Sequence, residues 1–128
     1  MDKYQLAAIY REYISCLNKQ NWQELGRYVH SDVQRNGEKL GIEGYEAMLR
    51  KSYEDIPDLE YRIGILVAEP PIVATRLLFD CTPHGEPFGI PVNGKRISFS
   101  ENVFYVFREE KIEKVWSVID VGAIAAQL

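Results

Sequence analysis

Two carboxylates, Glu101 and Asp120, lie in the last third of the chain among residues that are mostly apolar or aromatic. Their segments, residues 97–107 and 112–120, are each typical of a β-strand. Because burial of an unpaired charge costs several kcal/mol, two acids among apolar and aromatic residues indicate a half-buried pocket. Desolvation raises the pKa of a carboxylate there, and repulsion favours one protonated and one ionised group. Such a pair can abstract one proton and donate another, as enolisation beside a carbonyl requires.

The pairing of these two segments depends on the turn between them. A two-residue or four-residue turn within residues 108–111 pairs Phe107 with Ile112. Counted outward in steps of two, this register predicts that Glu101 and Asp120 are diagonal neighbours on one face. The same face would carry apolar and aromatic side chains, namely Phe99, Val103, Tyr105, Trp116 and Val118. A shift of one residue would instead turn Glu101 away and bring Asn102 into the pocket.

Four further side chains are candidates for contacts with a ligand. Tyr10 and Tyr13 lie on the apolar face of the first predicted helix and can present hydroxyls to the pocket, although tyrosines there are also typical of a core. His84 belongs to a long loop rich in Gly and Pro, and we expect it near the pocket mouth. Arg76, on a preceding strand, contacts the ligand or pairs with one acid, and in the second case the acids form a structural ion-pair network.

Composition and motifs argue against several classes of protein. The 128 residues fit one domain, and the net charge of −4 argues against nucleic acid as a partner. No segment approaches the roughly 18 apolar residues that span a bilayer, and no secretory signal pattern is seen, so we expect a cytoplasmic protein without membrane contact. The two histidines lack metal-site spacing, and no nucleophile or phosphate-binding motif occurs. We therefore expect neither a metal nor another cofactor.

The elements that position these side chains follow from hydrophobic periodicity. Apolar residues recur at three and four positions over residues 3–18, which predicts an amphipathic helix. Further helices are expected at residues 22–28 and from residue 41 until Pro57. Period two then predicts strands at residues 61–67 and 72–80 before the hairpin. Three helices followed by an antiparallel sheet predict an α+β domain, with the helices packed on one side of a curved sheet.

Several motifs resemble those of a known family. They are Pro57-Asp58-Leu59, the rim Gly85-x3-Gly89-Ile90-Pro91-x2-Gly94-Lys95, and the ending Val115-Trp116-Ser117-Val118-Ile119-Asp120. With the order of elements, they resemble the SnoaL-like polyketide cyclases and ester cyclases over nearly the whole chain. The resemblance implies a single domain, residues 1–128, with the cone-shaped α+β barrel of the nuclear transport factor 2 superfamily. In that fold a curved, mainly antiparallel sheet encloses a pocket that the helices close.

The resemblance also implies a role for Asp120, as general acid/base in an intramolecular aldol-type ring closure. The family often has a histidine on the neighbouring strand, where this chain has Glu101 and Asn102. Two hypotheses stay open: a cofactor-independent cyclase or isomerase acting on a small apolar carbonyl compound, and a non-catalytic small-ligand binding domain of the same fold. The outer sheet face, where this register exposes Phe104, also predicts a homodimer.

Overall fold

The amphipathic N-terminal segment forms helix α1, Lys3–Asn18, in a computed structural model that describes residues 1–128. Asp2 caps this helix, since its side chain accepts a hydrogen bond from the Gln5 backbone and the Gln5 side chain accepts one from the Asp2 backbone. The apolar stripe of α1 is buried in the core, where it includes Leu6, Tyr10, Tyr13, Ile14 and Leu17. The predicted first helix is therefore confirmed.

Three further helical segments follow. Trp22–Arg27 is a 3-10 helix, α2 spans Gly41–Asp55, and a short α3 spans Val121–Ala126. As predicted, α2 ends before Pro57, a residue that cannot continue a helix. None of the helices combines the length and the apolar composition needed to cross a membrane.

Six strands form one mixed sheet against these helices. They are β1 Val29–Arg35, β2 Glu38–Lys39, β3 Arg62–Glu69, β4 Ile72–Cys81, β5 Ile97–Arg108 and β6 Lys111–Ile119. Their order is β2-β1-β6-β5-β4-β3, and every neighbouring pair is antiparallel except β1 and β6. The sheet is not closed, because β2 and β3 each have a free edge. The predicted α+β fold with a mainly antiparallel sheet is confirmed, and the parallel pairing of β1 with β6 is an addition that the sequence did not predict.

The turn between β5 and β6 is the predicted one. Glu109 and Glu110 form its two central residues, with φ values of 54° and 64°. Positive φ at both positions is the geometry of the turn that matches the twist of a two-stranded hairpin. Phe107 pairs with Ile112, as the sequence predicted.

A β-bulge beyond the turn makes the predicted register of β6 wrong. Glu113 has no partner on β5, and its carboxylate contacts the Arg108 guanidinium. Because side chains alternate along a strand, this extra residue turns the rest of β6 over. The side chains that face the helices are Val115, Ser117 and Ile119. Trp116 and Val118, which were predicted to face the pocket, lie on the outer face.

Candidate active site in the central pocket

A pocket of about 320 Å³ opens between the helices and the inner face of the sheet. Strands β5 and β6 provide its floor, α1 and α2 its opposite wall, and Pro87 and Phe88 of the rim loop part of its border. Thirteen of the 20 lining residues are hydrophobic, and the polar groups among them are few. This composition suits a small, mostly apolar ligand that a few polar contacts orient.

Glu101 and Asp55 are the two acids that line this pocket. Asp55 is paired with Lys51, with 2.6 Å between the carboxylate oxygen and Nζ. Glu101 is half-buried on the floor and has no cation within ion-pair distance. Burial raises its pKa above the ordinary value of a glutamate. Glu101 is therefore the lining carboxylate whose pKa is shifted toward neutral pH.

Ser117 connects Glu101 to a positive charge. Arg35, at the end of β1, donates from Nη2 to Ser117 Oγ over 2.8 Å. A hydrogen bond from the Ser117 hydroxyl and the nearby charge of Arg35 both lower the Glu101 pKa, against the larger effect of burial. The Ser117 backbone is fixed in turn, because its N–H donates to Asn36 Oδ1 over 2.9 Å. The carboxylate thus faces the pocket with a positioned hydroxyl and a cation behind it.

Two tyrosine hydroxyls face the same space. Tyr13 Oη and Tyr45 Oη lie 2.8 Å apart, and both residues line the pocket. One hydroxyl donates to the other, so one O–H of the pair has no hydrogen-bond acceptor in the protein. Burial is the main cause that raises the Tyr45 pKa to about 12, and the charge of Glu101 adds to it. The pair therefore stays neutral and can donate a hydrogen bond to a ligand oxygen.

A second group of predicted ligand contacts lies behind the pocket wall. Tyr10 is fully buried, and its hydroxyl lies 3.2 Å from that of Tyr105, which does line the pocket. Phe99 is buried as well and stacks on Phe79, with 5.0 Å between the ring centroids. Both side chains support the wall, whereas Tyr13 is the member of the predicted aromatic set from α1 that reaches the cavity.

Asp120 lies outside the central pocket, so its predicted position next to Glu101 is wrong. It is exposed and caps α3, where its carboxylate accepts a hydrogen bond from the Ala123 N–H over 3.0 Å. It borders a shallow hollow on the outer face of the sheet together with Arg76. The bulge in β6 is the physical reason, because it reverses the faces of the strand that precedes Asp120. The catalytic role that the family resemblance implies for Asp120 stays a prediction.

The remaining predicted ligand contacts do not line the central pocket. Trp116, Val118 and Asn102 are exposed on the outer face, where Asn102 pairs with Val118 in the register. Arg76 is exposed on that face too. His84 is exposed on the rim loop, and its backbone N–H donates to the Asp55 carbonyl over 2.8 Å. These placements correct the predicted pocket contacts of Trp116, Val118, Asn102 and Arg76. The bond of His84 to pocket-lining Asp55 agrees with its expected place near the pocket mouth.

Arg35, Tyr45 and Ser117 line the pocket but were not predicted as site residues from the sequence. Tyr45 had a usable signal, because it lies four residues before buried Leu49 on the same face of α2. Arg35 had none, since its position depends on the parallel pairing of β1 with β6. Ser117 belongs to the set of alternate β6 residues that the bulge turns toward the pocket, whereas the predicted register placed it on the outer face.

Comparison with known proteins agrees with this fold. Residues 7–128 match the family described as SnoaL-like polyketide cyclase. The structure of a SnoaL-like polyketide cyclase from Agrobacterium tumefaciens has 47% identity and a TM-score of 0.94, over 95% of this chain and 96% of that chain. None of the curated proteins matches this chain. The chain belongs to the SnoaL-like polyketide cyclase family, as the motifs predicted.

More distant structures share the fold alone. TsrD from Streptomyces laurentii has 22% identity and a TM-score of 0.85, over 99% of this chain and 96% of that chain. Wild-type IdmH from Streptomyces antibioticus has 18% identity and a TM-score of 0.82, over 96% of this chain and 97% of that chain. The fold therefore persists where most side chains differ.

Proposed function

We propose that this protein is a cofactor-independent cyclase or isomerase that acts by acid/base catalysis on a small, mostly apolar carbonyl compound in the central pocket. The observation that carries the proposal is Glu101, a half-buried carboxylate with a raised pKa on the pocket floor. Family membership supports the class of reaction, since the similar structure from A. tumefaciens is described as a SnoaL-like polyketide cyclase.

The geometry supports a proton transfer at carbon. Ionised Glu101 takes a proton from the carbon next to a carbonyl, and the electron pair of that C–H bond moves toward the carbonyl oxygen. The free O–H of the Tyr13–Tyr45 pair donates to this oxygen as its negative charge develops. In a ring closure the enolate carbon then attacks a second carbonyl of the same molecule, the first carbonyl re-forms, and protonated Glu101 returns its proton to the new alkoxide. In an isomerisation Glu101 returns the proton to a different carbon.

Other features of the proposal concern the protein as a whole. We propose a homodimer that forms through the outer face of the sheet, and a cytoplasmic location. A small apolar molecule is the partner we expect, with neither nucleic acid nor membrane. These features stay predictions.

Hydrogen exchange at carbon tests the proposed chemistry without knowledge of the natural substrate. The bicyclic ketone 2-tetralone is small, mostly apolar and acidic next to its carbonyl. In D₂O, the protein is expected to incorporate deuterium at that carbon faster than buffer or an equal concentration of an unrelated protein. NMR follows the loss of the proton signal. Binding of the ketone without accelerated exchange would contradict catalysis and favour the ligand-binding alternative.

The pH dependence of this exchange should reflect the ionisation of Glu101. The base must be ionised, so the rate is expected to fall as pH drops through the raised Glu101 pKa. Ser117→Ala removes a hydrogen bond that lowers this pKa, so the acidic limb should move to higher pH. The control is Ser98→Ala, an exposed serine on β5 away from the pocket. An unmoved limb in Ser117→Ala, or an equal shift in Ser98→Ala, would refute the assignment.

A further inference from the structure

Arg35 is the arginine that lines the central pocket, and no carboxylate of the protein lies within ion-pair distance of it. Its one side-chain hydrogen bond goes to the neutral hydroxyl of Ser117. Glu101 lies beyond that hydroxyl, so the guanidinium and the carboxylate do not meet directly. The pocket therefore holds a positive charge whose remaining N–H donors have no protein acceptor.

The other arginines of the chain show the contrast, because all of them are exposed to water. Arg27, Arg50, Arg96 and Arg108 each contact a carboxylate, although all four are exposed. Arg35 is half-buried, so water solvates it less well, and it still lacks such a partner. A guanidinium that is partly removed from water without a carboxylate in direct contact is costly, and a carboxylate that binds there offsets this cost.

We infer that the ligand of this pocket carries a carboxylate that binds to Arg35, together with the carbonyl group that faces Glu101 and the Tyr13–Tyr45 pair. The substrate class is thus an oxo acid with a mostly apolar body. This inference rests on the proposed function, because it places the ligand in the same pocket.

The position of the anion follows from what surrounds Arg35. Ser117 occupies the side of the guanidinium toward Glu101, so a bound carboxylate takes the donors that Ser117 leaves free. The two negative groups are then separated by a hydroxyl and share one cation. A planar guanidinium with parallel N–H donors suits a carboxylate, which it can bind through both oxygens.

A matched pair of probes tests the charge of the ligand. The two probes are the anion 2-naphthoate and the neutral amide 2-naphthamide, which have nearly the same shape and differ in charge. By isothermal titration calorimetry, the protein is expected to bind 2-naphthoate at least tenfold more tightly. Arg35→Met should remove this preference and leave the affinity for 2-naphthamide within a few-fold. Arg35→Lys, which keeps the charge, should retain part of it, and Arg76→Met on the outer face should change neither affinity.

Three results of the binding experiment would overturn the inference. Equal affinities for the two probes in the unmodified protein would show that no anion site exists, and so would the failure of both to bind. An equal loss for both probes in Arg35→Met would show a structural role for the arginine. The probe 2-tetralone carries no carboxylate, so its exchange tests the proposed function separately. Failure of the exchange with a retained preference for 2-naphthoate would reject catalysis but keep the anion site.

Discussion

Glu101→Gln is expected to lower the protein-catalysed exchange of 2-tetralone by roughly 10²–10⁴-fold, the usual contribution of a positioned general base. Glutamine keeps the shape of the side chain and an oxygen that can accept from Ser117, but it cannot take up a proton. Affinity for the ketone should therefore stay within a few-fold, and the loss should appear in the rate constant at saturation. NMR measures the exchange, and line broadening of the probe measures its binding.

The same substitution is expected to raise the thermal stability at alkaline pH. The Glu101 pKa is raised in the folded protein, so its contribution to stability is present at low pH and is lost as pH rises through that pKa. Glutamine does not ionise and avoids this loss. The melting temperature of Glu101→Gln should therefore exceed that of the unmodified protein above the pKa, and the difference should shrink on acidification. A variant that is less active and more stable is the signature of a functional charge in a desolvated site.

Asp120→Asn is the matched control for this prediction. Asparagine also caps helices well, so the fold of α3 should persist. Because Asp120 lies outside the central pocket, we expect its variant to keep exchange activity within a few-fold. Loss of activity in Asp120→Asn with full activity in Glu101→Gln would reverse the assignment. It would support the role that the family resemblance implies for Asp120.

The sequence predicted most of the fold because its periodic signals are local. The stripe of α1 and the alternation of β4 each reflect neighbouring residues on one element. The pairing of β1 with β6 is different, since it joins segments about 80 residues apart and leaves no local pattern. The family resemblance predicted a curved sheet that encloses a pocket, but neither it nor periodicity predicted this parallel pairing.

The candidate site was only partly predictable, and a single bulge explains most of the difference. Residues of β5 from the predicted face do face inward, so Glu101 was correctly placed in the pocket. Both faces of β6 carry apolar residues, with Val115 and Ile119 on one face and Trp116 and Val118 on the other. Hydrophobicity therefore could not choose between them. The choice depends on Glu113, an unpaired residue that contacts Arg108 and reverses the strand.

That reversal exposes an apolar surface on the outer face of the sheet. Phe104 on β5 is 55% exposed and pairs with Trp116 on β6, which is 44% exposed. On the other side, Phe104 pairs with Ala74 on β4, which pairs with Val67 on β3. A continuous apolar face across four strands is unusual on a protein that works alone in water. Exposed Arg76 and Asp120 border the same face and provide charges of opposite sign, which can pair across a two-fold contact between identical copies.

Phe104→Glu is expected to dissociate the proposed homodimer. The new carboxylate would be buried without a partner at the contact, which costs several kcal/mol, and each 1.4 kcal/mol is tenfold in the dissociation constant. We therefore expect the constant to rise by roughly 100-fold or more. In the monomer the position is exposed, so circular dichroism should show an unchanged fold. Sedimentation velocity over a range of protein concentrations measures the mass of both proteins.

Tyr4→Glu provides the matched control for the dimer prediction, because Tyr4 is an aromatic residue 75% exposed on α1, away from the outer sheet face. It introduces the same charge and should leave the mass unchanged. If the unmodified protein sediments as a monomer at micromolar concentration, the homodimer is rejected. If Tyr4→Glu dissociates the dimer while Phe104→Glu does not, the contact lies on the helical side. The bulge in β6 would then expose Trp116 and Val118 for a reason other than self-association.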